Sequence, residues 1–203
     1  MTDEGYIKFD CDWTEGPPPA DELIVELNAS RRRLFELGLI GFLADEQVDF
    51  GNISIRGPTP SQMIITGTQT GHLPHLSAEH YARVTACDID GNRVACEGAI
   101  KASSETLTHA AIYALSATIQ AVIHVHSAAL WEQFLGKIPT TAADTAYGTP
   151  AMAREFQRLY RETGLPETQI AAMGGHPGGL ISFGASPRDA ENRLREKMGS
   201  NPI

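Results

Sequence analysis

Basic residues are the minority charge in this chain: 16 Lys and Arg stand against 25 Asp and Glu, a formal net charge of -9. That balance argues against nucleic acid or an anionic membrane surface as a partner, because both recruit proteins through Lys and Arg. It leaves phosphorylated small molecules open, since phosphate is also held by backbone N–H groups and hydroxyls. Cysteine is scarce. Cys11, Cys87 and Cys96 are an odd number without a C-x-x-C pair, which argues against a disulfide-built domain and suits a reducing cytoplasm. No apolar stretch is long enough to span a bilayer, and the acidic start Met1-Thr-Asp-Glu4 is no signal peptide, so no membrane partner and a cytoplasmic location are expected. Repeats and low-complexity stretches are absent.

What remains is an ordinary globular composition, 42% hydrophobic and 20% charged over 203 residues, which fits one domain. Residues 1–20 end in Gly16-Pro-Pro-Pro19 and read as an N-terminal arm; residues 21–203 read as the domain. Asp21 opens a helical pattern with Leu23, Ile24, Leu27, Leu34 and Leu37 near a 3.6-residue period, stopped by Gly38 and Gly41. Strands are expected over 51–56, 63–66, 121–126, 170–173 and 180–183, with a hairpin over 83–97 turning at Asp90-Gly91. Cys87 and Cys96 flank that turn as small, half-buried strand residues that could face each other. Helices are expected from Ser103 or Ser104 as cap to about Ser116, over 128–135, from Pro150 to near Gly164, and after Ser186-Pro187. Hairpins mixed with helices suggest an α/β domain whose mixed, mainly antiparallel central sheet lies between helix layers.

The chemistry concentrates in Val122-Ile-His-Val-His126. Two histidines two residues apart on a strand point to the same face and make a two-tooth chelate. His176 follows inside Gly174-Gly-His-Pro-Gly-Gly179, and Glu105 precedes inside Lys101-Ala-Ser-Ser-Glu105. Three histidines with one carboxylate form the inventory of a catalytic divalent-metal site. The plainer alternative is a pair of polar histidines at a strand end and a glycine-rich turn. His72, His75 and His80 form a second group, read either as substrate contacts or as solvated loop histidines; without well-placed carboxylates it is no second metal site.

Taken in order, Gly51-Asn-Ile-Ser, Ile65-Thr-Gly-Thr, Ser103-Ser-Glu105 with His109 and Tyr113, Val122-Ile-His-Val-His126 and Gly175-His176 resemble the class II aldolase/adducin family over roughly residues 21–190. The resemblance implies zinc held by His124, His126 and His176, with Glu105 as acid/base and as a further ligand when no substrate is bound. It implies a phosphate pocket of Gly51, Asn52, Thr66, Gly67, Thr68, Ser103 and Ser104, a small, phosphorylated substrate, and a homotetramer. The implied activity is cleavage of a small ketose phosphate or related hydroxy-ketone through a metal-stabilised enediolate. Alternatives on the same platform are an epimerase or dehydratase, and from another class a non-catalytic adducin-like interaction module. The sequence departs from the family pattern at Ala102, which stands where Pro is usual, and in a longer loop after Thr66. Tyr147 is a candidate for the family's active-site tyrosine by position only.

Overall fold

The period-2 apolar runs pair into one sheet, seen here in a computed structural model that describes residues 5–45, 47–59 and 61–199. The acidic start at Met1–Glu4 and the end of the domain beyond residue 199 lie outside the described residues. The strands are β1 (Asp10–Glu15), β2 (Gly41–Leu43), β3 (Val48–Phe50), β4 (Asn52–Arg56), β5 (Met63–Thr66), β6 (Tyr81–Asp88), β7 (Arg93–Gly98), β8 (Ala121–His126), β9 (Ile170–Ala172) and β10 (Gly179–Gly184). The helices are α1 (Asp21–Glu36), α2 (Thr106–Leu115), α3 (Ala128–Phe134), α4 (Pro150–Glu162), α5 (Leu165–Thr168) and α6 (Pro187–Gly199). Eight strands form the main sheet in the order β1-β7-β6-β5-β4-β8-β10-β9, while β2 and β3 make a separate hairpin. Every main-sheet pairing is antiparallel except β1 on β7.

Strict alternation divides the core between the two faces of this sheet. Met63, Ile65, Val122, Ile181 and Phe183 face Leu107, Ile112, Met152 and Phe156 of α2 and α4. Ile53, Ile123, Val125 and Leu180 face Ile24, Leu27 and Leu34 of α1 and Ala190 and Leu194 of α6. A fully buried Leu or Ile of this kind stabilises the fold by roughly 1.5–3 kcal/mol. This is the mixed, mainly antiparallel sheet between helix layers that the pattern predicts.

Several local details differ. The buried stripe of α1 is Ile24, Leu27, Ser30, Arg31 and Leu34, while Leu23 and Leu37 are exposed. Arg31 is buried because its guanidinium donates to the carbonyls of Thr70 and Gly71, which satisfy part of a charge that would otherwise be costly to desolvate. Within the expected arm, Asp10–Glu15 adds to the sheet as the edge strand β1. Ser103 and Ser104 do not cap α2. Glu105 occupies the N-cap position, and Ser103 supports it with a hydroxyl that accepts the Glu105 N–H at 3.3 Å. Cys87 and Cys96 do not face each other: the register sets Cys87 opposite Val94 and Val84 opposite Cys96, with a bulge between Val84 and Ala86. Cys96 meets Cys11 instead, sulfur to sulfur at 3.9 Å. No helix among the described residues is long and apolar enough to cross a membrane.

Candidate metal centre

Alternation along β8 places Val122, His124 and His126 on the α2 face and turns Ile123 and Val125 into the opposite core. His176 reaches the same point from the turn between β9 and β10. Gly179 lies opposite His126 in register, and a Cβ there would sit 2.6 Å from Cδ2 of His176. Gly178, at φ +85°, would put a Cβ 3.2 Å from His126 Nδ1. Glycine at both positions lets the two imidazoles close on one another.

One ligand atom from each of His124, His126 and His176 lies within 4.8 Å of the others, the sole such group among the described residues. The Nε2 atoms of His126 and His176 are 2.9 Å apart. All three rings are held neutral. Burial drives His124 and His176 well below the usual imidazole range, with His126 beside them adding to the effect, and it brings His126 down to about 4. Neutral imidazoles are the form that binds a divalent ion.

Glu105 stands at the start of α2, its Oε1 3.9 Å from His176 Nε2. Its Oε2 accepts the Thr108 hydroxyl at 2.6 Å. Burial pushes this carboxyl up to about 7, against the opposing pull of the Thr108 hydroxyl, the Lys8 ammonium and the Gly148 N–H. Two buried atoms at the centre have no hydrogen-bond partner: Nε2 of His124 and Oε1 of Glu105. Buried polar atoms are normally paired, and a divalent cation is the partner both of them fit. The donor set therefore suits a catalytic ion, with three imidazoles and a carboxylate close by.

Asn52 pairs with His124 in register, and its amide nitrogen is 3.2 Å from Nδ1. The expected phosphate residues Gly51, Asn52, Gly67, Thr68, Ser103 and Ser104 come together around one small cavity of about 20 Å³, joined by Asp49 and Thr70. Thr66 is the exception: its hydroxyl accepts the Ile53 N–H inside the sheet at 3.2 Å. Of the second histidine group, half-exposed His72 pairs with Asp49 at 3.0 Å, and His80 bonds back to Ser77. His75 borders a separate groove with Asn28 and Arg32.

Three more residues stand beside the centre, and sequence reasoning missed two of them, Phe50 and Lys8. The Phe50 ring lies 5.8 Å from that of His126. The Tyr147 ring lies 4.5 Å from that of His176, and its hydroxyl accepts the Tyr6 N–H at 3.1 Å. Lys8 holds its Nζ 3.5 Å from the centre of the Tyr147 ring. Only Tyr147 carried a signal, by position in the family pattern; Lys8 lies in a segment without hydrophobic period.

A mixed sheet presenting three imidazoles and a helix-start carboxylate defines an aldolase-type α/β protein with a candidate divalent-metal site. Residues 46–196 match the family described as Class II Aldolase and Adducin N-terminal domain, and the chain belongs to that family. Among solved structures it is similar to an L-fuculose 1-phosphate aldolase, at 19% identity and TM-score 0.66, over 90% of this chain and 84% of that one. It is also similar to a sugar-phosphate aldolase from Thermotoga maritima, at 15% identity and TM-score 0.65, over 88% and 91% of the two chains. YgbL from Escherichia coli, described as a putative aldolase/epimerase/decarboxylase, matches at 21% identity and TM-score 0.63 over 87% and 84%. At these identities the likeness is one of fold.

Proposed function

We propose that the protein is a divalent-metal-dependent carbon–carbon lyase that cleaves a small ketose phosphate or related hydroxy-ketone. The observation that carries this reading is the convergence of His124, His126 and His176 beside Glu105 Oε1, with two buried atoms there lacking partners. Zinc as the ion and a homotetramer as the assembly belong to the same proposal and rest on the family resemblance.

His124, His126 and His176 would hold the ion. When bound, it supplies Lewis-acid stabilisation of the negative charge that carbon–carbon cleavage leaves on the carbonyl fragment. Neutral imidazoles leave its full charge available for that task. Glu105 moves the proton. A carboxyl near 7 takes a proton from the hydroxyl next to the breaking bond and returns one to carbon, because its basicity is matched to neutral pH. Thr108 fixes the carboxylate through Oε2 and leaves Oε1 facing His176. Phe50 and Tyr147 wall the imidazoles with aromatic surface and limit the water that reaches them.

The test is elemental analysis of the purified protein, run together with assays for carbonyl products from a panel of ketose phosphates and unphosphorylated hydroxy-oxo acids. A bound divalent ion with metal-dependent product release is the expected result. A metal-binding protein that interconverts such substrates without cleaving them would favour epimerisation or dehydration. Absence of metal binding would overturn the reading in favour of an interaction module.

A further inference from the structure

Arg31 is a buried cation that its neighbours only half satisfy. It is 2% exposed. Its Nη2 donates to the Thr70 and Gly71 carbonyls, each at 3.0 Å, and the Phe35 ring centre lies 4.9 Å from its Cζ. Its Nη1 is buried without a partner. Among the described residues no carboxylate forms an ion pair with this guanidinium. Asp49 favours its charge from beyond that range, while the Asp49 oxygens accept the backbone N–H and the ring of His72. A buried N–H normally finds an acceptor, and a buried charge a counter-charge.

Arg31 also lines a groove of about 250 Å³, together with Arg32 of α1 and with Pro74, His75 and Leu76 of the loop that follows Gly71. Among the described residues no Asp or Glu lines it. Arg32 pairs with Glu36 at 3.0 Å, but both side chains are more than half exposed, and such a pair is weak enough to yield to a stronger anion. The exposed His75 side chain has no hydrogen bond or ion pair among the described residues. Asn28 holds the walls in place, its Nδ2 donating to the Leu76 carbonyl at 3.2 Å and its Oδ1 accepting the Tyr81 hydroxyl at 2.6 Å. The room is ample for a phosphate, whose four oxygens are each about water-sized, since one water takes roughly 10–15 Å³ on this scale. Two guanidinium forks and an imidazole around a groove without carboxylates suit a phosphate, which arginine binds through paired N–H groups.

We propose that this groove is a phosphate-binding site separate from the metal centre, where Arg31, Arg32 and His75 hold a phosphate dianion, free or as the phosphoryl group of a small monoester. The groove shares no lining residue with the cavity around Gly51 and Ser104, yet Arg31 joins the two. The carbonyls it holds belong to the Gly67–Gly71 loop that lines that cavity, a loop closed by the Thr70 hydroxyl on the Gly67 carbonyl at 2.9 Å. A phosphate drawing on Arg31 from the groove acts on the back of this loop. It tunes the candidate substrate pocket without entering it.

The experiment titrates the purified protein near neutral pH with inorganic phosphate and, separately, with methyl phosphate. Heats are measured calorimetrically and the His75 ring protons are followed by NMR, assigned through their loss in His75→Asn. The His75 signals are expected to move saturably, at the affinity the heats report, and to stay in place with sodium chloride at equal ionic strength. Arg32→Gln is expected to weaken binding about tenfold, the scale of one charge-assisted contact. Arg31→Lys, which keeps the charge and loses the fork, should weaken it as well. Ser104→Phe, in the other cavity, should leave the His75 response unchanged. A stronger response to methyl phosphate assigns the groove to a phosphorylated metabolite, and a stronger response to inorganic phosphate to the free ion; both support the site. Unmoved His75 signals, equal movement with chloride, undiminished affinity in Arg32→Gln, or loss of the response in Ser104→Phe overturns it. The readout needs neither metal nor turnover, so it fails or holds independently of the proposed lyase.

Discussion

The side-chain amide of Asn52 and the ring of His124 meet across paired strands, 3.2 Å from amide nitrogen to Nδ1. The Asn52 Oδ1 and the His124 Nε2 are both buried without partners. Turning the amide so that Oδ1 accepts Nδ1–H would satisfy the oxygen and leave the Nε2 lone pair for a metal, as outer partners of ligating histidines do. Asn52→Leu is expected to lower divalent-metal affinity roughly 10–100-fold while the chain stays folded. Competition against a chromophoric chelator reads the change; unaltered affinity removes Asn52 from the support of His124.

Glu105 is the group expected to carry the proton. Glu105→Gln should retain the metal and slow turnover by roughly 10²–10⁴-fold, the range for loss of a general base. The basic form of the carboxylate grows as pH rises through about 7, and a nearby divalent ion moves that transition lower. The wild-type rate should therefore rise along an acid limb at or below about pH 7, and the variant should lack that limb. A pH–rate profile of kcat/KM compares the two, and an identical limb in both would assign it to another group.

His109 sets a different pH dependence, one of stability. It is fully buried, its Nδ1 lies 2.7 Å from Ser54 Oγ, and that hydroxyl is also 2.7 Å from the Tyr113 hydroxyl. Burial brings its pKa down from 6.5 to about 3. The unfolded chain takes up the proton first, so this contribution to stability is complete above about 6.5 and is lost as pH falls toward 3. Chemical denaturation midpoints measured from pH 7 to 4 should fall steadily for the wild type and less steeply for His109→Gln. Equal slopes would mean that other groups dominate acid unfolding.

Much of this was legible in the chain because the signals were periodic. Alternation found β4, short apolar runs found β5, β8 and β10, and two-residue spacing put His124 and His126 on one face. The short hairpin of β2 and β3 and the single turn of α5 were missed, since each buries at most one residue and no core-facing run marks it. Leu23, in the first turn of α1, and Leu37, at its C-cap, fit the helical pattern and are nevertheless exposed at the two ends of the helix. The histidine and carboxylate set came from motif and spacing. The placement of Lys8 and Tyr147 against it depends on how the arm crosses the site, a long-range contact that leaves no local trace in the sequence.

The central claim is that three histidines from β8 and the turn before β10 make a metal centre. Metal content by elemental analysis, after incubation with zinc and removal of the excess, tests it directly when wild type, Glu105→Gln and His126→Ala are compared. The account expects about one divalent ion per chain in the first two proteins and loss of the ion in His126→Ala, since a catalytic site of this type has three protein ligands. Full occupancy in His126→Ala, or none in the wild type, would contradict it.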